Sequence, residues 1–99
     1  MKNEQIIMAF DALGNETRLA IFRLLVKNSK NGLNQGELAE KLGNMPRTTL
    51  CFHISLLENA GLCKSEKIGK KVFYKPCCCL VKEIVRFLLA DCCEENGGC

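Results

Sequence analysis

Thiols dominate the chemistry that this sequence could perform. Eight of the 99 residues are cysteine. Cys77, Cys78 and Cys79 form one run, Cys92, Cys93 and Cys99 fall in the closing stretch "DCCEENGGC", and Cys51 and Cys63 stand alone. The closing stretch has glycines and acidic residues but no apolar face to bury, so its sulfurs are read for their reactivity. Consecutive helical residues point about 100° apart, so Cys92 and Cys93 can face one ion only where a helix ends. Asn96, Gly97 and Gly98 then free the chain to fold back, with glycine tolerating positive φ, and Cys99 can join the pair. Three sulfurs can then converge, and no obvious fourth ligand is supplied. Soft thiolates select soft ions, whereas structural zinc takes a closed set of four ligands. Glu94, Glu95 and a helix C-terminus surround these thiols with negative charge, which disfavours the thiolate. A ligand that displaces thiol protons as it binds suits this setting better than peroxide sensing does. Three consecutive residues cannot easily face one ion, so Cys77 to Cys79 are divided between packing and exposure. Cys51 and Cys63 are read as small buried or half-buried groups.

These thiols need elements to carry them. Ile6, Ile7 and Phe10 fall on one face of a short N-terminal helix, which "LGNE" stops at a glycine before Asn15 caps the next. Leu19, Ile21, Phe22, Leu24, Leu25 and Val26 are so dense over residues 16–27 that most of that helix is expected to be buried. Arg18 at its start is read as structural, pairing with Glu16 or with a backbone carbonyl. Leu38, Ala39 and Leu42 mark a third helix ending at Gly43. Pro46 opens a fourth in its first turn, with Asn44 or Met45 as cap. That helix buries Leu50, Ile54, Leu57 and Ala60, stops at Gly61, and leaves Arg47, Thr48, Thr49, His53 and Ser55 on its polar face. Two helices joined by a short glycine-containing turn match a helix-turn-helix, and the polar face is the one a major groove would meet. "LCKSEK" and "KVFYK" around "IGK" read as a two-stranded hairpin. Leu80, Val81, Ile84, Val85, Phe87, Leu88 and Leu89 make a strongly apolar closing helix over about residues 79–91. The apolar excess at both ends points to a second subunit, packed on Ile6, Ile7, Phe10, Leu80, Ile84, Phe87 and Leu88.

Composition bounds the rest. With 47% hydrophobic residues the chain can bury one modest core, so a single domain over residues 1–99 is expected. No run of roughly 18 apolar residues is present and the start lacks a secretion signal, so a cytoplasmic protein away from membranes is expected. In that compartment disulfides are a minority reading. The net charge of +3 is uneven: Lys64, Lys67, Lys70, Lys71 and Lys75 face only Glu66 in the hairpin. That region suits a polyanion, and the acidic tail would repel one.

The runs "ALGNETRLAIFRLL", "ELAEKLG", "TLCFHISLLENAGL" and "GKKVFYKP" resemble, in order and spacing, the ArsR-type (ArsR/SmtB) winged-helix repressors over about residues 6–99. The resemblance implies a homodimeric, mainly α winged helix-turn-helix with element order α-α-α-α-β-β-α. It implies a recognition helix at about 46–60, a wing at about 62–75, and release from DNA when a metal or metalloid ion binds. Cysteine pairs placed by one arsenic-sensing branch in the first helix of the helix-turn-helix are absent here. The zinc branch's closing-helix histidines are absent too, although Glu83 and Asp91 are present. The tail resembles a further arsenic-responsive branch, with two adjacent cysteines and a third after five residues. Cys92, Cys93 and Cys99 are then the expected ligands, with As(III) or Sb(III) as inducer and no organic cofactor.

The expectation is therefore a repressor, not an enzyme. It binds double-stranded operator DNA through Arg47, Thr48, Thr49, His53, Lys64, Lys67, Lys70 and Lys71, and carries a metalloid-binding tail at residues 91–99. His53 is the only histidine, which argues against a metal or catalytic role for it. Phe52 stands where the family often has a polar residue, which leaves the base sequence read here open. The alternative is a thiol redox switch on the same scaffold. A thiol-based reductase is disfavoured because no thiol sits in a phosphate-binding loop and no C-x-x-C follows a strand.

Overall fold

A computed structural model describes residues 3–92. The elements run α1 (Asn3–Leu13), α2 (Glu16–Lys27), β1 (Leu33–Asn34), α3 (Gln35–Lys41), α4 (Arg47–Asn59), β2 (Cys63–Ile68), β3 (Lys71–Pro76) and α5 (Cys78–Leu89). This is the expected winged helix-turn-helix with one addition. The short strand β1 pairs antiparallel with β3, Leu33 opposite Tyr74 and Asn34 opposite Phe73, making a sheet in the order β1-β3-β2. Two residues cannot show the alternation by which a strand is read from sequence.

The helix starts follow from local hydrogen bonding. Asn15 caps α2 by accepting from the Arg18 N–H at 3.1 Å. Asn34 and Glu37 cap α3 reciprocally, the Asn34 side chain accepting from Glu37 N–H and the Glu37 carboxylate from Asn34 N–H, at 2.8 and 2.9 Å. Both caps satisfy N–H groups that have no partner within the helix. Gly43 and Gly61 take positive φ after α3 and α4, as expected of helix stops. Pro46 lies one residue earlier than expected, at the N-cap of α4 and not in its first turn. Asn44 is not the cap, because it continues the left-handed reversal begun at Gly43, with φ 59°.

The interior is built around the helix-turn-helix. Ile21, Leu25, Leu38, Leu50, Ile54, Leu57 and Leu62 are each less than 2% exposed and join α2, α3, α4 and the turn before β2 in one cluster. Burying each such side chain contributes about 1.5–3 kcal/mol, which fixes the angle of α4 against α2 and α3. Among the described residues no buried side-chain nitrogen or oxygen lacks a partner.

Two expectations about helix faces need correction. Ile6 belongs to the chain's own core with Ala9 and Ala12, while Ile7 and Phe10 point to solvent. Ile84 is likewise buried within the chain and Leu80 packs partly against the core. Of the residues expected at a dimer face, Ile7, Phe10, Phe87 and Leu88 are left exposed. The second correction concerns α2, which is not buried round most of its circumference: Leu19 is exposed and Leu24 and Val26 are only partly covered.

Candidate nucleic-acid interface and sensing tail

The buried residues of α4 define its outward direction. At about 100° per residue, the side opposite Leu50, Ile54 and Leu57 is centred on Thr48, Phe52, Ser55 and Asn59, all exposed. Thr49 lies on one flank of this face, and Arg47 and Cys51 on the other. The Arg47 guanidinium donates to Gln35 Oε1 at 3.2 Å, and the Gln35 amide donates to Cys51 Sγ, so the first residue of α3 steadies the start of α4. Beside it an open cleft of about 470 Å³ is lined by Asn34, Gln35, Gly36, Arg47, Tyr74 and the wing residues Lys70, Lys71 and Val72. Three cations on one cleft next to a helix start suit a phosphate backbone.

The wing is cationic along its length. Lys64, Lys67, Lys70 and Lys71 are all exposed; Lys70 lies in the turn with Gly69 and Lys71 follows it as the first residue of β3. Lys75 differs, since it lies 3.5 Å from the Glu66 carboxylate. Burial pushes the Tyr74 phenol above its ordinary pKa, with smaller contributions from the nearby Cys51, Glu58 and Cys63. At the cleft, Tyr74 is therefore a neutral hydrogen-bonding group.

His53 is placed differently from the other expected DNA contacts. It is half-buried and turned toward α2, where Arg18 Nη1 approaches its Nδ1 at 3.3 Å. Arginine only donates, so Nδ1 accepts and is unprotonated. Burial, and then the Arg18 charge, hold the imidazole below its ordinary pKa. The same Arg18 donates through Nε to the Ala12 carbonyl at 2.7 Å, the backbone carbonyl partner expected of it. One guanidinium thus ties the end of α1 to the middle of α4. The His53 ring in turn meets Phe52 edge-on, centroids 5.4 Å apart and planes at 65°.

The cysteines separate into distinct environments. Cys63 is buried, and desolvation, then Glu58 and Cys77, push its thiol up to about 12, so it is a protonated core group. Cys77 and Cys78 are half-buried, while Cys51 and Cys79 are exposed. Among the described residues no three Cys, His, Asp or Glu side chains are grouped to hold an ion. The helix α5 ends at Leu89, Asp91 takes φ 64°, and Cys92 is exposed with its N–H on the Leu89 carbonyl. Cys93 and Cys99 lie outside the described residues.

Phe52 and Gln35 are functional candidates that residue type alone does not pick out. A signal for Phe52 is present in the sequence, because the three buried positions of α4 place the helix's far side at residue 52. Gln35 carries no such signal, since its contacts depend on how α3 crosses α4.

A helical core, a helix-turn-helix and a basic wing define a winged-helix DNA-binding domain. The family described as a helix-turn-helix domain matches residues 13–66, and the chain belongs to it. It is 32% identical over 87 residues to the uncharacterized HTH-type transcriptional regulator MJ1325 of Methanocaldococcus jannaschii, a match covering 88% of this chain and 94% of that protein. Against MJ1398, a longer regulator of the same organism, the chain is 39% identical over 62 residues, which are 63% of this chain but 15% of that protein. An ArsR-like transcriptional regulator from Rhodococcus sp. RHA1 superposes with TM-score 0.76 at 26% identity, covering 86% of this chain and 76% of that one. The homodimeric winged helix-turn-helix DNA-binding domain Mb0332 of Mycobacterium bovis superposes at TM-score 0.67 and 23% identity, covering 87% and 83%. The chain is a helix-turn-helix transcriptional regulator whose fold is that of the ArsR-like protein, and its relatives are regulators and not enzymes. Among the described residues no helix is long and apolar enough to cross a membrane.

Proposed function

We propose that this regulator is a homodimeric repressor that binds operator DNA and is released when As(III) or Sb(III) engages Cys92, Cys93 and Cys99. The observation that carries the DNA reading is the exposed face of α4 beside the cleft of Arg47, Lys70 and Lys71. Pairing through α1 and α5 is supported by the exposed Ile7, Phe10, Phe87 and Leu88, and by an apolar groove of about 240 Å³ between the two helices. The Mycobacterium bovis domain of the same fold is named as homodimeric, which supports a dimer as such. Two recognition helices would then enter major grooves roughly 34–36 Å apart on a palindromic site. For the inducer, the support is the early end of α5 and the left-handed Asp91, which release Cys92 from the helical direction. An inducer acts only through preferring the conformation that does not bind DNA. The dimer helix α1 is joined to α4 through Arg18, which gives such a preference a route to the reading face.

Fluorescence anisotropy with labelled operator under strongly reducing conditions tests this reading. Arsenite is expected to release the wild-type protein, and serine at Cys92, Cys93 and Cys99 to abolish release while leaving operator binding intact. Arsenite release that survives those three substitutions would refute the site. Release only after oxidation would identify a thiol redox switch instead.

A further inference from the structure

The reading face of α4 holds an aromatic ring that DNA binding through phosphates does not use. Phe52 is 59% exposed and sits at the centre of that face, with the polar Thr48, Ser55 and Asn59 around it. The other exposed large apolar residues among those described fall on α1, α2, the wing and α5. Its ring is held in place: His53 meets it edge-on, His53 is bonded to Arg18, and Arg18 to the Ala12 carbonyl. Ser55 Oγ donates to the Phe52 carbonyl at 2.8 Å, so the polar neighbour turns toward the helix backbone. An apolar ring inserted among base edges would strand hydrogen-bonding groups unless it met an apolar atom. In the major groove the one such group is the C5 methyl of thymine. The cleft of Arg47, Lys70 and Lys71 beside this face suits a polyanion, and the DNA-binding reading is what sets base edges against the ring.

We infer that Phe52 reads a thymine methyl in each operator half-site and that Arg18 and His53 are its positioning residues. This rests on the DNA-binding reading above. Phe52 makes no hydrogen bond through its side chain, so it discriminates thymine from uracil or cytosine only by burying the methyl. A methyl is worth about 0.8 kcal/mol when buried, or about fourfold in affinity per half-site. Two symmetric contacts amount to about fifteenfold.

The test uses the full chain and an operator selected by it from random-sequence DNA. Each thymine is replaced by uracil, which removes the methyl and nothing else. At one symmetric pair of thymines, uracil is expected to weaken wild-type binding about fourfold singly and about fifteenfold together. Phe52→Ala is expected to weaken binding to the thymine operator at least as much, and to bind thymine and uracil operators equally. Being exposed, Phe52 can be truncated without unfolding the chain, which a circular dichroism melt verifies. Arg18→Met is expected to lower the thymine-to-uracil ratio without removing the salt dependence. Specific binding by the wild type with no uracil effect at any position overturns the inference and leaves the repressor reading standing. So does an unchanged thymine-to-uracil ratio in Phe52→Ala. A wild type that selects no sequence defeats both.

Discussion

Replacing Arg18 by methionine removes a guanidinium while keeping an unbranched aliphatic stem of similar length. The guanidinium makes two contacts beyond its own helix: Nε to the Ala12 carbonyl at 2.7 Å and Nη1 to His53 Nδ1 at 3.3 Å. Ala12 lies in the last turn of α1, where carbonyls lack helical partners and the helix dipole is negative, so the first bond is charge-assisted. Hydrogen bonds to charged groups contribute about 1.5–3 kcal/mol each. The side chain is half-buried and the second contact is long, so the pair together is expected to contribute about 2 kcal/mol. For a domain of this size each kcal/mol moves Tm by about 4–8 °C, so a drop of roughly 10 °C is expected. The assay is a circular dichroism melt at one protein concentration, because the proposed dimerisation would make Tm concentration-dependent. Arg18→Lys keeps the charge but not the fork, and should recover part of the stability. A shift under about 2 °C for Arg18→Met would refute the linkage between α1 and α4.

Protonation of His53 opposes the same contact. Its folded pKa lies below the ordinary 6.5, so the folded state holds fewer protons, and the contribution is present above that value and lost as pH falls below it. His53→Gln should flatten that part of the stability profile, measured by urea unfolding across the range. The Cys63 thiol, raised from 9.0 to about 12, should stay silent to a thiol reagent at pH about 8 until the protein unfolds, whereas Cys51 and Cys79 react at once. The same shift makes stability decline as pH rises from 9.0 toward about 12, and Cys63→Ala should lessen that decline. Lys70→Gln and Lys71→Gln should each lower the slope of log affinity against log salt by about one if the lysine neutralises a phosphate, with sequence preference retained. Leu57→Ala, at a site with no exposure, should cost about 2–5 kcal/mol in chemical unfolding and take the α4 packing with it.

Much of the fold is legible along the chain because its apolar residues repeat at helical spacing. Leu50, Ile54 and Leu57 announce a helix whose two faces differ, Asn15 and Gly61 mark where helices start and stop, and Gly69 sits at the tip of an alternating basic hairpin. The strand β1 is invisible there, since Leu33 and Asn34 are too few to alternate and become a strand only beside Tyr74 and Phe73. The allocation of Ile6 and Ile84 to the chain's own core is equally hidden. A periodic apolar helix shows how much surface must be buried but not whether a neighbouring helix or another subunit covers it.

Residue type and spacing by themselves determined that this is a small helix-turn-helix protein with a cationic hairpin and a thiol-rich end. These properties are local: a capping residue acts within one turn and a charge is carried wherever the chain puts it. Only the tertiary structure decided that Arg18 reaches both Ala12 and His53 and that His53 faces α2. Those pairs are separated by up to 35 positions in the chain, and their meeting depends on the angle at which α2, α3 and α4 cross. That angle is set by the shapes of Ile21, Leu25, Leu38 and Ile54 packed together, which no single stretch of sequence contains.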